Sequence, residues 1–205
     1  MDSKSLFTSL FHSESEDEVV EILDNNGLWS FDKTDWKVLG GKDNNSAIVH
    51  NQTTEPQNAL VEKLTNSVDA MILLKATEAD EVDKNSPNSV RKAVERYFDI
   101  PEGKLENLQL GSKDIKNLTK NIQFFATGTK NRKPSITIAD SGIGQSVDTI
   151  EKTFLSINET NKTNIPYLQG SFNQGGLATL VFSGKYRINL IATRLAPSVN
   201  KNHND

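Results

Sequence analysis

The segment EKLTNSVDAMILL, residues 62–74, contains the most informative pattern of the sequence. Its apolar spacing predicts an amphipathic helix, but Asn66, Ser67 and Asp69 interrupt the middle, where better helix formers are available. On a helix, Glu62, Asn66 and Asp69 lie within about 60° of one another and share one edge. A solvated polar edge is the simple alternative, but it would gain nothing from these residues. Their use predicts a functional edge.

The opposite side of this helix is predicted to face the core. The helix begins in TTEPQ, with Thr54 as the predicted N-cap and Pro56 in the first turn, where its missing N–H costs nothing. It is expected to run to about Ala76. Its core-facing stripe is formed by Leu60, Val61, Leu64, Val68, Met71 and Ile72.

A second motif is ITIADSGIG, residues 136–144, in which an alternating strand ends at Asp140 and leads into Gly142 and Gly144. Glycine permits a tight turn and lets a ligand approach the main chain. An aspartate held there can accept a hydrogen bond from an exocyclic amine. Asp, Ser and Gly also form ordinary turns, so this motif is weak on its own.

A third motif is QGSFNQGGLATLVFS, residues 169–183, in which Gly170, Gly175 and Gly176 precede a predicted helix. The N-terminus of a helix offers free N–H groups, and glycine leaves room for a phosphate. A hinge or a helix C-cap is the alternative.

The rest of the chain is assigned from periodicity and turn residues. The chain is divided into an N-terminal helix and strap, residues 1–50, and one domain, residues 51–205, with an insertion at about 77–121. Further helices are predicted at 13–26, 88–98, 146–157 with Ser146 as the cap, and 177–182, with a less regular segment at 103–121. Strands are predicted at 122–128 and 135–140 as a hairpin and at 186–193, and residues 46–50 are expected to form a short strand or an extended strap.

Composition excludes several classes of protein. The 205 residues carry a net charge of −4, and Lys and Arg form no blocks, so a dedicated nucleic-acid binder is not supported. With no cysteine and three scattered histidines, a disulfide framework and a cluster of metal-binding side chains are not expected. No segment approaches the roughly 20 apolar residues that cross a bilayer. We expect a cytoplasmic protein without a membrane partner.

The three motifs in this order resemble the GHKL ATPase superfamily, which includes the ATPase component of DNA gyrase, MutL, the MORC proteins, the ninety-kilodalton heat-shock chaperone and sensor histidine kinases. The resemblance covers roughly residues 54–193. The segment FLSINETNK followed by QGSFNQGG resembles the MutL, MORC and gyrase branch in particular. It implies an α+β fold, a two-layer α/β sandwich of the Bergerat type with a mixed, mostly antiparallel sheet and helices on one face.

The resemblance also implies roles for four polar residues. Glu62 matches the general base that orients and deprotonates the water attacking the γ-phosphate of ATP. Asn66 matches the residue whose side-chain oxygen holds Mg²⁺. Asp69 matches a secondary polar position near the nucleotide, and Asp140 resembles the aspartate that recognises the adenine amino group.

The remaining implied positions surround the adenine and the phosphates. Lys162 is similar in placement to a lid lysine that neutralises phosphate charge, although an exposed loop lysine is more often only solubilising. The glycines that would shape the adenine pocket are Gly142 and Gly144, and those that would form the lid and phosphate loop are Gly170, Gly175 and Gly176.

The implied function is Mg²⁺-dependent binding and hydrolysis of ATP, with lid closure that drives homodimerisation or movement of a C-terminal effector region. The strands that usually complete this sheet are not seen after residue 193, so the chain is expected to be the front part of a longer protein. The alternative is a module that binds ATP or ADP and gates protein interactions without turnover. A histidine-kinase activity is disfavoured because no helix with an exposed phosphoacceptor histidine is predicted before the site, and His50 falls in a segment predicted to be extended. Family analogy suggests DNA transactions, chaperoning or anti-phage defence.

Overall fold

The structure is a computed structural model of the whole chain. It describes residues 1–30, 32, 36–37, 55–82, 87–109, 111–128, 134–153, 165–169 and 175–200. The strand or strap expected at 46–50 lies outside these described residues.

Two short helices form the N-terminal region. In α1 (Ser3–His12), the carboxylate of Asp2 accepts hydrogen bonds from the first-turn N–H groups. In α2 (Glu16–Asn25), the Ser15 side chain caps the helix by accepting from the Glu18 N–H. The chain leaves α2 through Gly27 at φ +70°, a left-handed conformation that glycine adopts without strain. The helix predicted at 13–26 is therefore confirmed, with slightly shorter bounds.

The long helix α3 (Pro56–Glu78) contains residues 62–74. Pro56 occupies the first turn as predicted, but the N-cap is Glu55, which makes no side-chain capping bond. The prediction of Thr54 as the cap is therefore wrong, because the proline fixes the first turn one residue later than the Thr54 assignment requires. The helix also extends two residues beyond the predicted end at Ala76.

The predicted apolar stripe of α3 is only partly buried. Met71 and Ile72 are buried, whereas Val61 is 59% exposed, so its assignment to the core is wrong. Leu60, Leu64 and Val68 are half-buried. The physical reason is that the core cluster packs on the second half of α3, around Ile72 and Ala76, and the described elements leave the Val61 side uncovered.

The core forms where α3 meets α4 (Val90–Phe98), which Ser89 caps and which falls inside the predicted 88–98 helix. Two 3-10 turns, Pro101–Gly103 and Leu105–Asn107, and the short helix α5 (Lys113–Leu118) follow. Four buried residues make the centre of this core: Ile72, Ala76, Ala93 and Tyr167. No helix in the described ranges is both long enough and apolar enough to span a bilayer.

A two-stranded antiparallel sheet follows α5. Strand β1 (Ile122–Thr127) pairs with β2 (Ser135–Asp140), and the register places Ile122 opposite Asp140. Both predicted strands are confirmed, and most of the predicted hairpin loop lies outside the described residues. Helix α3 packs against β2. Helices and a small antiparallel sheet thus make a mixed α+β structure.

Two further helical segments follow the sheet. Helix α6 (Val147–Thr153) begins after Ser146, whose hydroxyl lies 3.1 Å from the Thr149 hydroxyl. The predicted continuation of this helix beyond 153 lies outside the described residues. A 3-10 helix, Gly175–Phe182, replaces the helix predicted at 177–182 and packs against α3. Gly175 and Gly176 are therefore its first two residues.

The strand predicted at 186–193 is not present, so that prediction is wrong. The backbone N–H groups of Tyr186 and Ile188 donate instead to the Glu16 carboxylate, at 3.0 and 3.1 Å. Between them Arg187 has φ +56°, which breaks an extended chain. Alternating apolar residues form a strand only where a neighbouring strand accepts their hydrogen bonds, and here a carboxylate of α2 takes that place.

Candidate functional site at the junction of α3 and β2

The end of β2 carries a carboxylate that is held from two sides. Ser67 Oγ, from the middle of α3, donates to Asp140 Oδ2 at 2.9 Å. The Gly142 N–H donates to Asp140 Oδ1 at 3.0 Å. Ser67 is buried, with 4% of its surface exposed, whereas Asp140 is exposed. Because a carboxylate oxygen can accept more than one hydrogen bond, Asp140 is oriented and still open to a donor from outside.

The turn after Asp140 packs directly onto α3. The Ile143 N–H donates to the carbonyl of Ala70 at 3.1 Å. A Cβ added to Gly142 would lie 2.5 Å from the Ala70 Cβ and 2.7 Å from its carbonyl carbon, closer than real Cβ atoms come. The space that the sequence suggested for a ligand at Gly142 is thus occupied by α3. Glycine is required here because helix and turn approach each other so closely.

The other side of the same turn is covered by residues 193–196. Gly144 has φ +66°, and a side chain there would overlap the backbone of Arg194. The Ala196 N–H donates to the Ile143 carbonyl at 2.9 Å, and the Gln145 N–H donates to Thr193 Oγ1 at 3.0 Å. The turn is therefore clamped between α3 and residues 193–196, which fixes the position of Asp140 at its start.

The polar edge of α3 changes from exposed to buried along the helix. Glu62 is exposed, Asn66 is half-buried and Asp69 is fully buried, at 0% exposure. Both carboxylate oxygens of Asp69 accept from the Gln169 N–H, at 3.0 and 3.1 Å. The edge is therefore not a simple solvated face, and its buried end contacts a segment 100 residues away in the chain.

The structure brings together the elements that carry several of the predicted site residues. Asn66 precedes Ser67, and Ser67 bonds to Asp140, so the middle of α3 and the end of β2 meet. Gly175 and Gly176 begin a helix that packs on α3. Lys162 and Gly170 lie outside the described residues. The roles assigned to all these residues remain predictions.

Two residues of this region had no role in the sequence prediction. Ser67 appeared there only as a disruption of the helix, and a polar residue with low helix propensity between Asn66 and Asp69 was the one signal that pointed to it. Lys63 lies one turn before Ser67 on the same face of α3. Burial lowers the pKa of the Lys63 ammonium group, so a partly desolvated cation lies on this face.

In the part of the chain that the structure describes, no group of three or more His, Cys, Asp or Glu side chains could hold a metal. An amide oxygen such as that of Asn66 suits Mg²⁺, which keeps several waters and takes other oxygens from phosphates. An oriented, accessible carboxylate such as Asp140 suits an amino group of a base.

No protein-family model, curated protein or solved structure matches this chain. The resemblance to the GHKL ATPases therefore rests on the residues of the chain itself.

Proposed function

We propose that this chain is a GHKL-type domain, built on a two-layer Bergerat sandwich, that binds ATP with Mg²⁺ and hydrolyses it. The observation that carries the proposal is the pair of hydrogen bonds on Asp140, one from buried Ser67 and one from the Gly142 N–H. They hold an accessible carboxylate beside the helix that carries Asn66 and Glu62. This arrangement supports an adenine-binding aspartate next to a phosphate-facing helix edge.

Each residue then has a distinct task. Asp140 accepts a hydrogen bond from the exocyclic amine of adenine, and α3 together with the Gly142 turn keeps its carboxylate in one orientation. Asn66 supplies an oxygen ligand for Mg²⁺, which neutralises phosphate charge. Glu62 orients the attacking water and accepts its proton.

The lid and the phosphate loop are assigned to the glycine-bearing segment and the lysine before it. The glycines Gly170, Gly175 and Gly176 leave the main chain open to phosphate oxygens, and Lys162 adds positive charge. Binding of ATP is proposed to close this lid and to drive homodimerisation or movement of a C-terminal region. Light scattering of the chain with and without a non-hydrolysable ATP analogue tests dimerisation, and an unchanged mass would contradict it.

The direct test is a calorimetric titration with a non-hydrolysable ATP analogue and Mg²⁺. We expect the wild type to bind, and Asp140→Ala to bind at least about tenfold more weakly, because the amine loses its acceptor and about 1.4 kcal/mol is tenfold in affinity. Asp114→Ala, an exposed acid in the first turn of α5, is the matched control and should bind as the wild type does. Equal binding by the Asp140 and Asp114 variants would eliminate the adenine-pocket assignment.

A second candidate function is a nucleotide-gated interaction module without turnover. It is favoured by the state of Glu62, which is exposed and which no hydrogen bond from a described residue orients. A general base needs such positioning. Phosphate release that Glu62→Ala abolishes and Glu106→Ala leaves unchanged would establish hydrolysis. Nucleotide binding with no phosphate release would establish the module.

A further inference from the structure

Asp69 is a charged residue in a place where charge is costly. It is among the largest fully buried side chains of the described chain, with 0% exposure, and it lies in the middle of α3. Burying a carboxylate is unfavourable unless hydrogen bonds compensate it. The compensation includes the Gln169 N–H, which lies 3.0 Å from one oxygen and 3.1 Å from the other. The carboxylate therefore ties residue 169 to α3.

The tied segment, residues 165–169, is fixed at a second point. The Tyr167 side chain is fully buried in the core cluster with Ile72, and its ring meets that of Tyr97 edge-on at 6.3 Å. The next described element along the chain is the 3-10 helix Gly175–Phe182, which packs against α3. One helix thus holds both flanks of the glycine-bearing stretch.

We infer that Asp69 is a positioning residue: by holding the Gln169 N–H it sets where the glycines at 175 and 176 lie relative to the Asn66 edge of α3. The inference rests on the proposed nucleotide function and deepens it. Asp69 then acts through Gln169 without touching the nucleotide. Asp140 is held separately, by Ser67 and Gly142. The hydrogen bonds between Asp69 and the Gln169 N–H therefore govern recognition of the phosphates and leave recognition of the base unchanged.

The test compares Asp69→Ala and Asp69→Asn with the wild type. The rate of amide hydrogen exchange at Gln169 reports whether its N–H is still hydrogen-bonded to residue 69. Titrations with an ATP analogue plus Mg²⁺ and with adenosine separate recognition of the phosphates from recognition of the base. Asp114→Ala is the matched control, because it removes an exposed acid in the first turn of α5, outside the proposed site.

For Asp69→Ala we expect exchange at Gln169 to accelerate roughly tenfold and the ratio of ATP-analogue affinity to adenosine affinity to fall roughly tenfold, since the Gln169 N–H loses its acceptor. Asp69→Asn keeps one oxygen acceptor without the charge, so both effects should be about threefold. Asp114→Ala should change neither quantity. If Asp69→Ala does not fold, the same two measurements on Asp69→Asn decide the question.

Three results would overturn the inference. Unchanged exchange at Gln169 in the Asn variant would show that the carboxylate does not hold this segment. Faster exchange with an unchanged affinity ratio, including an equal loss for both ligands, would show a purely structural role. A wild-type chain that binds neither ligand would refute the proposed function and the positioning role with it, and the titration of the wild type alone separates this failure from the other two.

Discussion

Gly142→Ala tests whether the turn after β2 is wedged against α3. The new Cβ would lie 2.5 Å from the Ala70 Cβ and 2.7 Å from its carbonyl carbon. Carbon atoms in contact are about 3.5–4.0 Å apart, so helix and turn must separate by about 1 Å. Overpacking of this kind costs about 1–3 kcal/mol, and the clash with helix backbone points to the upper part of that range.

The net effect is smaller because alanine restricts the unfolded chain, which offsets about 0.4–1 kcal/mol. We therefore expect a loss of about 2 kcal/mol in the free energy of unfolding, or about 4–8 °C in Tm for a chain of this size. Urea unfolding monitored by circular dichroism measures it, with the m-value checked for a change in the unfolded state. A free energy within about 0.5 kcal/mol of the wild type would refute the packing argument.

A double-mutant cycle identifies the clashing partner. Ala70→Gly alone should cost about 1 kcal/mol, because glycine is a poor helix former. Combined with Gly142→Ala it removes one of the two closest contacts of the new Cβ, so the double variant should lose at least about 0.5 kcal/mol less than the sum of the single losses. Losses that add to within about 0.3 kcal/mol would show that Ala70 is not the obstacle.

Three further predictions concern hydrogen bonds and titration. Ser67→Ala should change the free energy of unfolding by less than about 1 kcal/mol, because better helix propensity offsets the lost hydrogen bond. It should nevertheless weaken binding of the ATP analogue about three- to tenfold, because Asp140 loses its hydrogen bond from α3. An unchanged calorimetric affinity would contradict this. Burial raises the pKa of the Glu16 carboxyl, but the backbone N–H groups of residues 185–188 outweigh it and bring the pKa below 4.5. Ionised Glu16 thus stabilises the fold above pH 4.5, and this stabilisation is lost as the pH falls through the lower pKa of the folded state. The difference in urea midpoint between wild type and Glu16→Gln should therefore disappear in that acid range. A difference that does not depend on pH would refute the assignment. Burial and the hydrogen bond to Glu81 raise the pKa of Tyr97 above 10.0. In alkaline spectrophotometric titrations of the wild type and Tyr97→Phe, the variant should therefore lack one phenol that ionises above pH 10.0. Loss of a phenol that ionises at or below pH 10.0 would contradict this.

Local structure was predictable where the signal is local. The helices predicted at 13–26 and 88–98 are both present; Ser15 and Ser89 cap them, and Gly27 ends the first in a left-handed conformation. These residues act on backbone groups within three or four positions of themselves, so neighbouring sequence contains the information. The strands β1 and β2 were equally evident, because both partners of the ladder were visible as alternating runs.

Predictions that depend on distant partners failed or missed the partner. Residues 186–193 have the alternation of a strand, but Glu16, about 170 positions earlier, accepts from the N–H groups of Tyr186 and Ile188. Val61 has the helical spacing of a core residue, but no described element covers it. Periodicity shows which side of an element is apolar, and only the tertiary structure shows what lies opposite.

The interruption in the middle of α3 now has a physical explanation. Ser67 and Asp69 are two residues apart, so their side chains point about 160° away from each other across the helix. One bonds to the end of β2 and the other to residue 169, and both are buried. Alanine or leucine, which have better helix propensity, could make neither bond. A helix with apolar residues at both positions would be more stable in isolation, but it would lose the two contacts that join the strand end and the glycine-bearing segment to a single rigid element.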